Sequence, residues 1–181
     1  MRWGLILHWA TDINIGAKMI NAVCETAAER PVFKDAMRKR RCLIPADGFY
    51  EWKLVGPKKK QPYNIGMQDD SLFAFAGLWD RWNSPPKGEL LSCTILTTDA
   101  NPLLKDIHDR MPVIIEKDDY DLWLDPGMTD TATVAELLRP FVARLMRCYP
   151  VGNRVNHVQN DDAECGCAVA PEAPPQQQLF P

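Results

Sequence analysis

The amino-acid sequence predicts an α+β fold, a single domain in which one curled, largely antiparallel β-sheet approaches a barrel and peripheral helices pack outside it. Two observations carry this prediction. Short apolar or alternating runs bounded by turn residues recur along the chain, whereas helical periodicity is confined to a few brief segments. With 181 residues the chain suits one domain, which we expect over residues 1–167, followed by a flexible, Pro- and Gln-rich tail over residues 168–181.

The individual elements follow from these patterns in chain order. Residues 2–9 are apolar and aromatic and favour a strand or a strand and loop, and residues 11–18 favour a loop. Further strands are expected at residues 19–24, 42–45, 49–53, 63–67, 72–79, 90–97 and 145–151. Helices are expected at residues 31–40, 118–124 and 133–138, with a short helical segment after Asn101-Pro102. Residues 55–62 contain Pro, Gly and a run of lysines, which predicts a loop.

Residues 41–53, with the sequence RCLIPADGFYEWK, are the segment around which the rest is interpreted. Residues 42–45 favour a buried strand, and residues 49–53 favour a second one. The three residues between them, Ala46, Asp47 and Gly48, are typical of a turn. The segment is therefore expected to form a β-hairpin.

Glu51 is a carboxylate inside the second, aromatic strand of this segment. Alternate residues of a strand share a face, so Glu51 lies with Phe49 and Lys53, while Tyr50 and Trp52 point the other way. Partial burial among aromatic side chains raises a carboxyl pKa toward the range useful for general acid–base catalysis. The alternative is a half-exposed strand Glu that pairs with Lys53. The pattern alone leaves both interpretations open.

The composition excludes several classes of protein. The net charge is −3, so a nucleic-acid contact must come from a local patch, for which residues 38–41 and 58–60 are the candidates. No apolar run approaches the ~20 residues of a membrane span, which predicts a cytoplasmic chain without membrane contact. The six cysteines lack zinc-site spacing, so neither a metal nor a cofactor is expected.

Four ordered stretches resemble one known family. Residues 41–53 closely resemble its signature, and residues 2–6, Asn21-Ala22 with Glu25-Thr26, and residues 107–112 (IHDRMP) resemble its other motifs. The family is that of the SOS response-associated peptidases, abbreviated SRAP. The resemblance covers about residues 2–165, and four motifs in this order are far more specific than a single short pattern.

This resemblance implies a DNA-repair function. Proteins of the family carry a Cys directly after the initiator Met, and self-cleavage of that Met exposes an α-amine beside a thiol. The amine condenses with the ring-opened sugar of an abasic site in single-stranded DNA, and the thiol closes a thiazolidine cross-link. Carried over by motif, Glu51 matches the catalytic Glu that shuttles protons and His108 the catalytic His. Asn21 matches the Asn that orients the sugar or the terminal Cys.

DNA contacts are implied in the same way. Arg110 resembles a phosphate-contacting Arg, and Trp3 and Trp52 offer flat surfaces for unstacked bases. Without the resemblance, Arg110 also fits a surface ion pair with Asp109, and Trp3 and Trp52 also fit buried positions in the core. Val23 stands where the family motif has Arg, so we expect weaker DNA binding. The slope of log affinity against log salt should be smaller by about one unit, because one phosphate contact is lost.

The start of the sequence departs from the family pattern. It begins Met1-Arg2, whereas the resemblance implies several tens of residues, starting Met-Cys-Gly, ahead of this point. We therefore expect a truncated SRAP chain without its nucleophile. Two alternatives stay open: a nucleophile-free module that binds single-stranded DNA, and a conventional cysteine peptidase using Cys42 or Cys24 with His108. Cys42 begins an apolar strand, which favours a buried structural thiol over a nucleophile.

The last residues of the sequence suggest a partner. Gln176, Leu179 and Phe180 resemble the short peptides by which bacterial replication and repair proteins dock onto the sliding clamp. A linker rich in Pro and Ala has no core in which to bury two adjacent apolar side chains, so a pocket on a partner is a reasonable destination. A chance match in a flexible end is the alternative. With DNA as its substrate, the protein is expected in the cytoplasm, associated with the nucleoid.

Overall fold

Two β-sheets and several short helices make up the described part of the chain. The computed structural model of the protein describes residues 1–84 and 88–171. The strands are β1 Arg2–Trp3, β2 Asn21–Val23, β3 Arg41–Ala46, β4 Phe49–Gly56, β5 Lys59–Met67, β6 Phe73–Ser84, β7 Gly88–Asp99, β8 Arg110–Pro112, β9 Ile114–Ile115 and β10 Met146–Pro150. The α-helices are α1 Cys24–Ala27, α2 Lys34–Lys39, α3 Tyr120–Leu124 and α4 Thr131–Ala135.

Contacts within the chain divide it into two units. The first unit consists of Met1–Ala46, Leu72–Asp99 and Arg110–Phe141. The second consists of Asp47–Ser71, Ala100–Asp109 and the described residues from Val142 onward. Each unit holds one of the two sheets, so the strands of residues 41–53 contribute to different units.

The sheet of the first unit is built around β7. Strand β7 pairs antiparallel with β6 and β8, and β6 pairs antiparallel with β3 and β9. The two N-terminal strands pair with β7 in parallel, β1 at Ser92 and Cys93 and β2 at residues 95–97. Strand β1 ends after two residues because Gly4 has a φ of +108°, which glycine adopts readily, and packs closely against Gly16. The predicted strand over residues 2–9 is therefore much shorter than expected.

An apolar core joins the helices to this sheet. Leu78 and Leu96 of the sheet are fully buried together with Met37 of α2, Trp123 of α3 and Val134 of α4. Burying a large apolar side chain stabilises the folded state by ~1.5–3 kcal/mol relative to leaving it in water. The short helices therefore owe their stability to packing, since helices of four to six residues are unstable alone.

Arg41 is a structural residue of the first unit. It is 7% exposed, and its guanidinium donates to the backbone carbonyls of Trp123 and Asp125 at 2.6 Å and of Met37 at 2.8 Å. These carbonyls lie at the C-terminal ends of α2 and α3, where no partner within the helix is available. Burial lowers the pKa of Arg41. The suggestion that residues 38–41 act together as a nucleic-acid patch is therefore wrong for Arg41.

The sheet of the second unit has three antiparallel strands in the order β10-β5-β4. Strands β4 and β5 form a hairpin with its turn at Pro57 and Lys58, and Lys58 adopts a φ of 62°. The loop predicted over residues 55–62 is wrong, because Lys59 and Lys60 already belong to β5. Pro, Gly and Lys indicated the turn correctly, but exposed lysines also fit an outward-facing strand position, so composition did not give the turn's length.

The predicted hairpin of residues 42–45 with 49–53 is also wrong. Cys42 pairs with Gly77 of β6, whereas Glu51 pairs with Tyr63 of β5. Gly77 explains the first pairing, because a Cβ at this position would lie 2.9 Å from Cys42 Sγ and 2.8 Å from Ile44 Cδ1. The side chains of β3 thus occupy the space above a residue that has no side chain, and this fit selects β6 as the partner.

The α+β fold class is confirmed, although the strands form two sheets instead of one and neither closes into a barrel within the described residues. At the end of the second unit Ala168 bridges Val151, and Val169 N donates to Pro150 O at 2.9 Å. The start of the predicted tail is therefore hydrogen-bonded, and the boundary at residues 167 and 168 stays a prediction. Residues 172–181, with Gln176, Leu179 and Phe180, lie outside the described residues.

Two further observations concern the described residues alone. None of their helices is long and apolar enough to cross a membrane. No group of three or more His, Cys, Asp or Glu side chains among them is arranged to hold a metal ion.

Candidate active site

Glu51 lies on β4, the edge strand of the second sheet, opposite Tyr63 of β5. Burial raises the pKa of the Glu51 carboxyl, and the positive charges of His108 and Lys60 partly offset this effect. The raised pKa agrees with the expectation from the aromatic neighbours in the sequence. The cations that act on this pKa are His108 and Lys60, whereas the sequence alone had suggested Lys53. Glu51 is therefore a carboxyl that keeps its proton to a higher pH than an exposed Glu does.

His108 is held near Glu51 by a series of turns that Asn101 organises. The side-chain Oδ1 of Asn101 accepts hydrogen bonds from the backbone N–H groups of Leu103 and Leu104, as an N-cap residue does. Backbone bonds from Lys105 N to Asn101 O and from His108 N to Leu104 O, both 3.0 Å, continue the turns. Buried Leu104 anchors them. The predicted helical segment is thus a set of turns that presents His108 at its end.

A cleft of about 400 Å³ is lined by residues of β4, of β5 and of the turns that end near His108. His108 lines it together with Trp52 and three lysines, Lys53, Lys60 and Lys105; Asp106 and Asp109 are also part of its wall. Trp52 and Lys53, which are successive residues of β4 and point to opposite faces of the strand, both line this cleft. Lysines beside a flat indole are the combination that binds the phosphates and bases of a single strand of nucleic acid.

Trp52 is held in place by a hydrogen bond. Its indole Nε1 donates to Asn156 Oδ1 at 2.7 Å, and Asn156 belongs to the same unit. The ring is only partly buried. Trp52 is therefore a fixed aromatic surface at the wall of the cleft, and its contact with a base stays a prediction.

Asn21 and Trp3 lie in the first unit, next to each other along β7. Asn21 is exposed and pairs with Ile95. Trp3 is 56% exposed, and its indole Nε1 donates to the carbonyl of Ile20 at 2.7 Å. The Trp3 ring is thus fixed against the residue that precedes Asn21. The roles predicted for both residues stay predictions.

Arg110 forms ion pairs with two carboxylates of the first unit. Its Nη1 and Nη2 bind the two oxygens of Glu25 at 2.9 and 2.7 Å, and Nη1 also binds Asp99 Oδ1 at 2.7 Å. Nη2 donates to the carbonyl of Thr97 at 2.6 Å. These partners raise the pKa of Arg110, and Arg110 in turn lowers the pKa of Glu25. The carboxylate partners are Glu25 and Asp99, in place of the neighbouring Asp109 considered from the sequence.

Comparison with known proteins decides the family. The model of the family described as SOS response associated peptidase (SRAP) matches residues 1–158. This chain belongs to the SRAP family. The resemblance seen in the four sequence motifs is thereby confirmed.

Named relatives and solved structures agree with this assignment. The abasic site processing protein YoqW of Bacillus subtilis (strain 168) is 48% identical over 164 residues, which are 91% of this chain and 73% of the relative. The abasic site processing protein HMCES of Xenopus tropicalis is 34% identical over 93% of this chain, which spans 56% of HMCES. A crystal structure from Bacteroides thetaiotaomicron superposes with a TM-score of 0.85 at 31% identity, covering 93% of this chain and 75% of that one.

In this SRAP chain the predicted site residues fall into two groups. Glu51, His108 and Trp52 belong to the second unit, where Glu51 and His108 interact and His108 and Trp52 line one cleft. Trp3, Asn21 and Arg110 belong to the first unit. The roles of all six residues stay predictions.

Three residues near Trp52 were not assigned from the sequence. Lys60 lies in the lysine run that was recognised as a basic candidate but interpreted as a loop. Lys105 precedes the IHDRMP motif and carries no signal of its own. Asn156, the partner of Trp52, is an isolated Asn whose role depends on tertiary structure.

Proposed function

We propose that this SRAP chain binds single-stranded DNA at abasic sites and that Glu51 and His108 move protons in the chemistry of the exposed sugar. The observation that carries the proposal is the interaction of a partly buried Glu51, whose pKa is raised, with His108 at the wall of an open cleft. The names of the relatives support the substrate, since YoqW and HMCES are called abasic site processing proteins.

The raised pKa of Glu51 suits a group that both gives and takes a proton. A protonated carboxyl can donate to the ring oxygen of the closed sugar, which opens the ring to the aldehyde, and the resulting carboxylate can take a proton back. His108 is the adjacent group that exchanges protons with it, since an imidazole accepts and donates through two nitrogens. The two side chains then act as a pair in ring opening.

The covalent step implied by the family requires an N-terminal Cys. Its α-amine adds to the aldehyde carbon, and the adduct loses water to form an imine, with Glu51 protonating the departing hydroxyl. The thiol sulfur then bonds to the imine carbon while its proton passes to the nitrogen, which closes the thiazolidine. Self-cleavage of an initiator Met would expose the same Cys. The proposal for these 181 residues concerns binding and proton transfer.

A module that binds single-stranded DNA without chemistry is the second candidate. The lysines and Trp52 of the cleft favour it, because they would hold a strand whether or not a nucleophile is present. A conventional cysteine peptidase is not supported. Burial raises the pKa of Cys42 to about 12 and of Cys24 to about 11, so both remain protonated and weakly nucleophilic at neutral pH.

Binding of labelled oligonucleotides by the 181-residue chain tests the proposal. Fluorescence anisotropy compares a single strand that contains an abasic site with the same strand intact and with the duplex. We expect the abasic single strand to bind most tightly. Equal binding to all three DNAs, or none, would contradict the proposal.

The lysines of the cleft provide a sharper version of this experiment. Replacing Lys60 and Lys105 by Gln should reduce the slope of log affinity against log salt by about 1.4, since each phosphate contact to a single strand contributes ~0.7. Lys117→Gln is the matched control, because Lys117 is also exposed but lies in the first unit. An unchanged slope in the double variant would remove the cleft from the DNA interface.

Two further parts of the proposal concern the cell. A DNA substrate would place the chain in the cytoplasm, in association with the nucleoid. Through Gln176, Leu179 and Phe180 it would also be tethered to the sliding clamp, which raises its local concentration at stalled, single-stranded template.

A further inference from the structure

The indole of Trp52 is oriented by a side chain that no motif pointed to. An indole N–H is a donor only, so its partner must present an acceptor. Asn156 does so with Oδ1, 2.7 Å from Trp52 Nε1. A hydrogen bond to the edge of the ring restricts rotation about the side-chain torsions of Trp52. The faces of the ring are not used by this bond.

Asn156 is itself held by Asn153. With Oδ1 of Asn156 occupied by the indole, its amide Nδ2 is left as a donor, and it donates to Asn153 Oδ1 at 3.2 Å. Both residues belong to the 3₁₀ turn Asn153–Asn156. In a 3₁₀ turn the side chains at positions i and i+3 are eclipsed, which brings these two amides together. The donor and acceptor directions thus agree along the whole series from Trp52 to Asn153.

The turn is fastened to the residues that follow it. Arg154 Nε lies 3.0 Å from both carboxylate oxygens of Asp162, and Arg154 also pairs with Glu164. Asn160 Nδ2 donates to the backbone carbonyl of Arg154 at 2.8 Å. Asn153 and Asn156 therefore project from a turn with several tertiary restraints, although the turn lies at the surface.

We infer that Asn156, supported by Asn153, is a positioning residue that fixes Trp52 as the stacking surface for a base next to the abasic site. This inference rests on the proposed function, because the stacked group is a nucleobase of the bound single strand. Stacking depends on a ring plane that is ordered before the DNA arrives, since ordering it on binding would cost affinity. Lys60 and Lys105, in the same cleft wall as Trp52, would hold the adjoining phosphates.

A double-mutant cycle on the full 181-residue chain tests the positioning role. The probe is a labelled single strand with a tetrahydrofuran abasic analogue, which lacks an aldehyde and reports binding alone. Asn156→Ala should weaken binding about 3- to 10-fold, the effect of losing one hydrogen bond. Trp52→Phe keeps a ring but cannot donate, so adding Asn156→Ala to Trp52→Phe should cause no further loss. If Asn156 had a merely structural role, Asn156→Ala would weaken binding equally in the parent chain and in the Trp52→Phe variant.

Asn14→Ala is the control, since Asn14 is an exposed Asn of the first unit and does not belong to the turn that holds Trp52. Its binding should equal that of the parent chain. A second readout follows the ring directly: with 5-fluorotryptophan in the chain, the ¹⁹F resonance that Trp52→Phe removes should broaden or shift in Asn156→Ala. An unchanged resonance with unchanged affinity would overturn the inference.

The cycle separates the two claims on which it depends. If the parent chain does not bind the single strand, the proposed function fails and the inference fails with it. If the parent chain binds and Asn156→Ala binds equally well, the proposed function stands and the positioning role is refuted.

Discussion

His108 and Glu51 interact electrostatically: burial raises the pKa of the Glu51 carboxyl, and the positive charge of His108 lowers it. The two effects act in opposite directions on the same proton. Burial alone would leave a carboxyl that keeps its proton, and a strong cation alone would leave one that never takes it up. A group between these limits is suited to proton exchange, which links the packing of β4 to the proposed chemistry.

Ionisation of the Glu51 carboxyl should lower the free energy of unfolding of the protein. Because the pKa of Glu51 is raised on folding, the folded chain binds this proton more tightly than the unfolded chain does. The contribution of Glu51 to the free energy of unfolding therefore decreases as the pH rises from about 4.3, the pKa of an unfolded Glu, through the folded-state pKa. Glu51→Gln removes this penalty.

We accordingly expect Glu51→Gln to melt about 2–4 °C higher than the parent chain at pH 8, the shift that ~1 kcal/mol produces in a chain of this size. The figure is modest because the carboxyl is only partly buried and solvent screens its charge. At pH 4 the two chains should melt nearly together. Thermal unfolding followed by circular dichroism at both pH values checks this, and an equal or lower melting temperature at pH 8 would contradict it.

The same side chains should control the rate of cross-linking when a nucleophile is supplied. In a chain extended at its N-terminus by a segment that begins Met-Cys-Gly, Glu51→Gln and His108→Ala should each slow adduct formation with abasic single-stranded DNA by about 10²–10⁴-fold. Denaturing gels sampled over time measure the rate. The matched controls are Glu89→Gln and His157→Ala, which remove exposed side chains of the same types. Rates equal to the parent for both site variants would exclude the pair from the mechanism.

The sequence identified strands better than it identified their partners. The strands near residues 63–67, 90–97 and 145–151 are present, because an apolar or alternating run specifies an extended segment with a buried face. The pairing of β3 with β6 depends on the empty space above Gly77, which is a tertiary feature. A short turn between two apolar runs therefore suggested a hairpin that does not form.

The candidate site shows the same division. Glu51 and His108 were recognised because each lies in a long motif, and the pKa direction of Glu51 followed from its aromatic neighbours. Lys105 and Asn156 have no such context, and what they contact is decided by the turns in which they lie. Patterns along the chain thus located the residues proposed for chemistry and Trp52 as a stacking surface, while Lys105 and Asn156 required the structure.

The proposed tether is testable apart from the rest of the chain, because a linear peptide needs no fold. A labelled peptide of residues 173–181 should bind purified bacterial sliding clamp with micromolar affinity, measured by fluorescence anisotropy. A peptide with Leu179→Ala and Phe180→Ala should not bind, since both apolar side chains are then lost. Absent binding, or binding that is indifferent to these two changes, would leave the match to clamp-docking peptides as chance.

Arg110 should stabilise the first unit through Glu25 and Asp99. We expect Arg110→Ala to lower the free energy of unfolding by ~1–2 kcal/mol, a value kept small by the exposure of both carboxylates. Arg110→Lys should be intermediate, because an ammonium cannot bind both Glu25 oxygens as a guanidinium fork does. Urea unfolding measures the differences, with Arg81→Ala, which breaks an exposed pair with Glu89, as the control.

A DNA phosphate that contacts Arg110 would have to compete with Glu25 and Asp99 for its guanidinium. Since Arg110 lowers the pKa of Glu25, the stabilisation from this pair is present at neutral pH and is lost only as the pH falls below about 4. At pH 7.5, Glu25→Gln should therefore weaken the hold on the guanidinium, lower stability and increase affinity for single-stranded DNA. Arg110→Ala should reduce the salt slope by about 0.7. Anisotropy titrations at several salt concentrations measure both effects, and an unchanged slope together with unchanged affinity in Glu25→Gln would make Arg110 a structural residue alone.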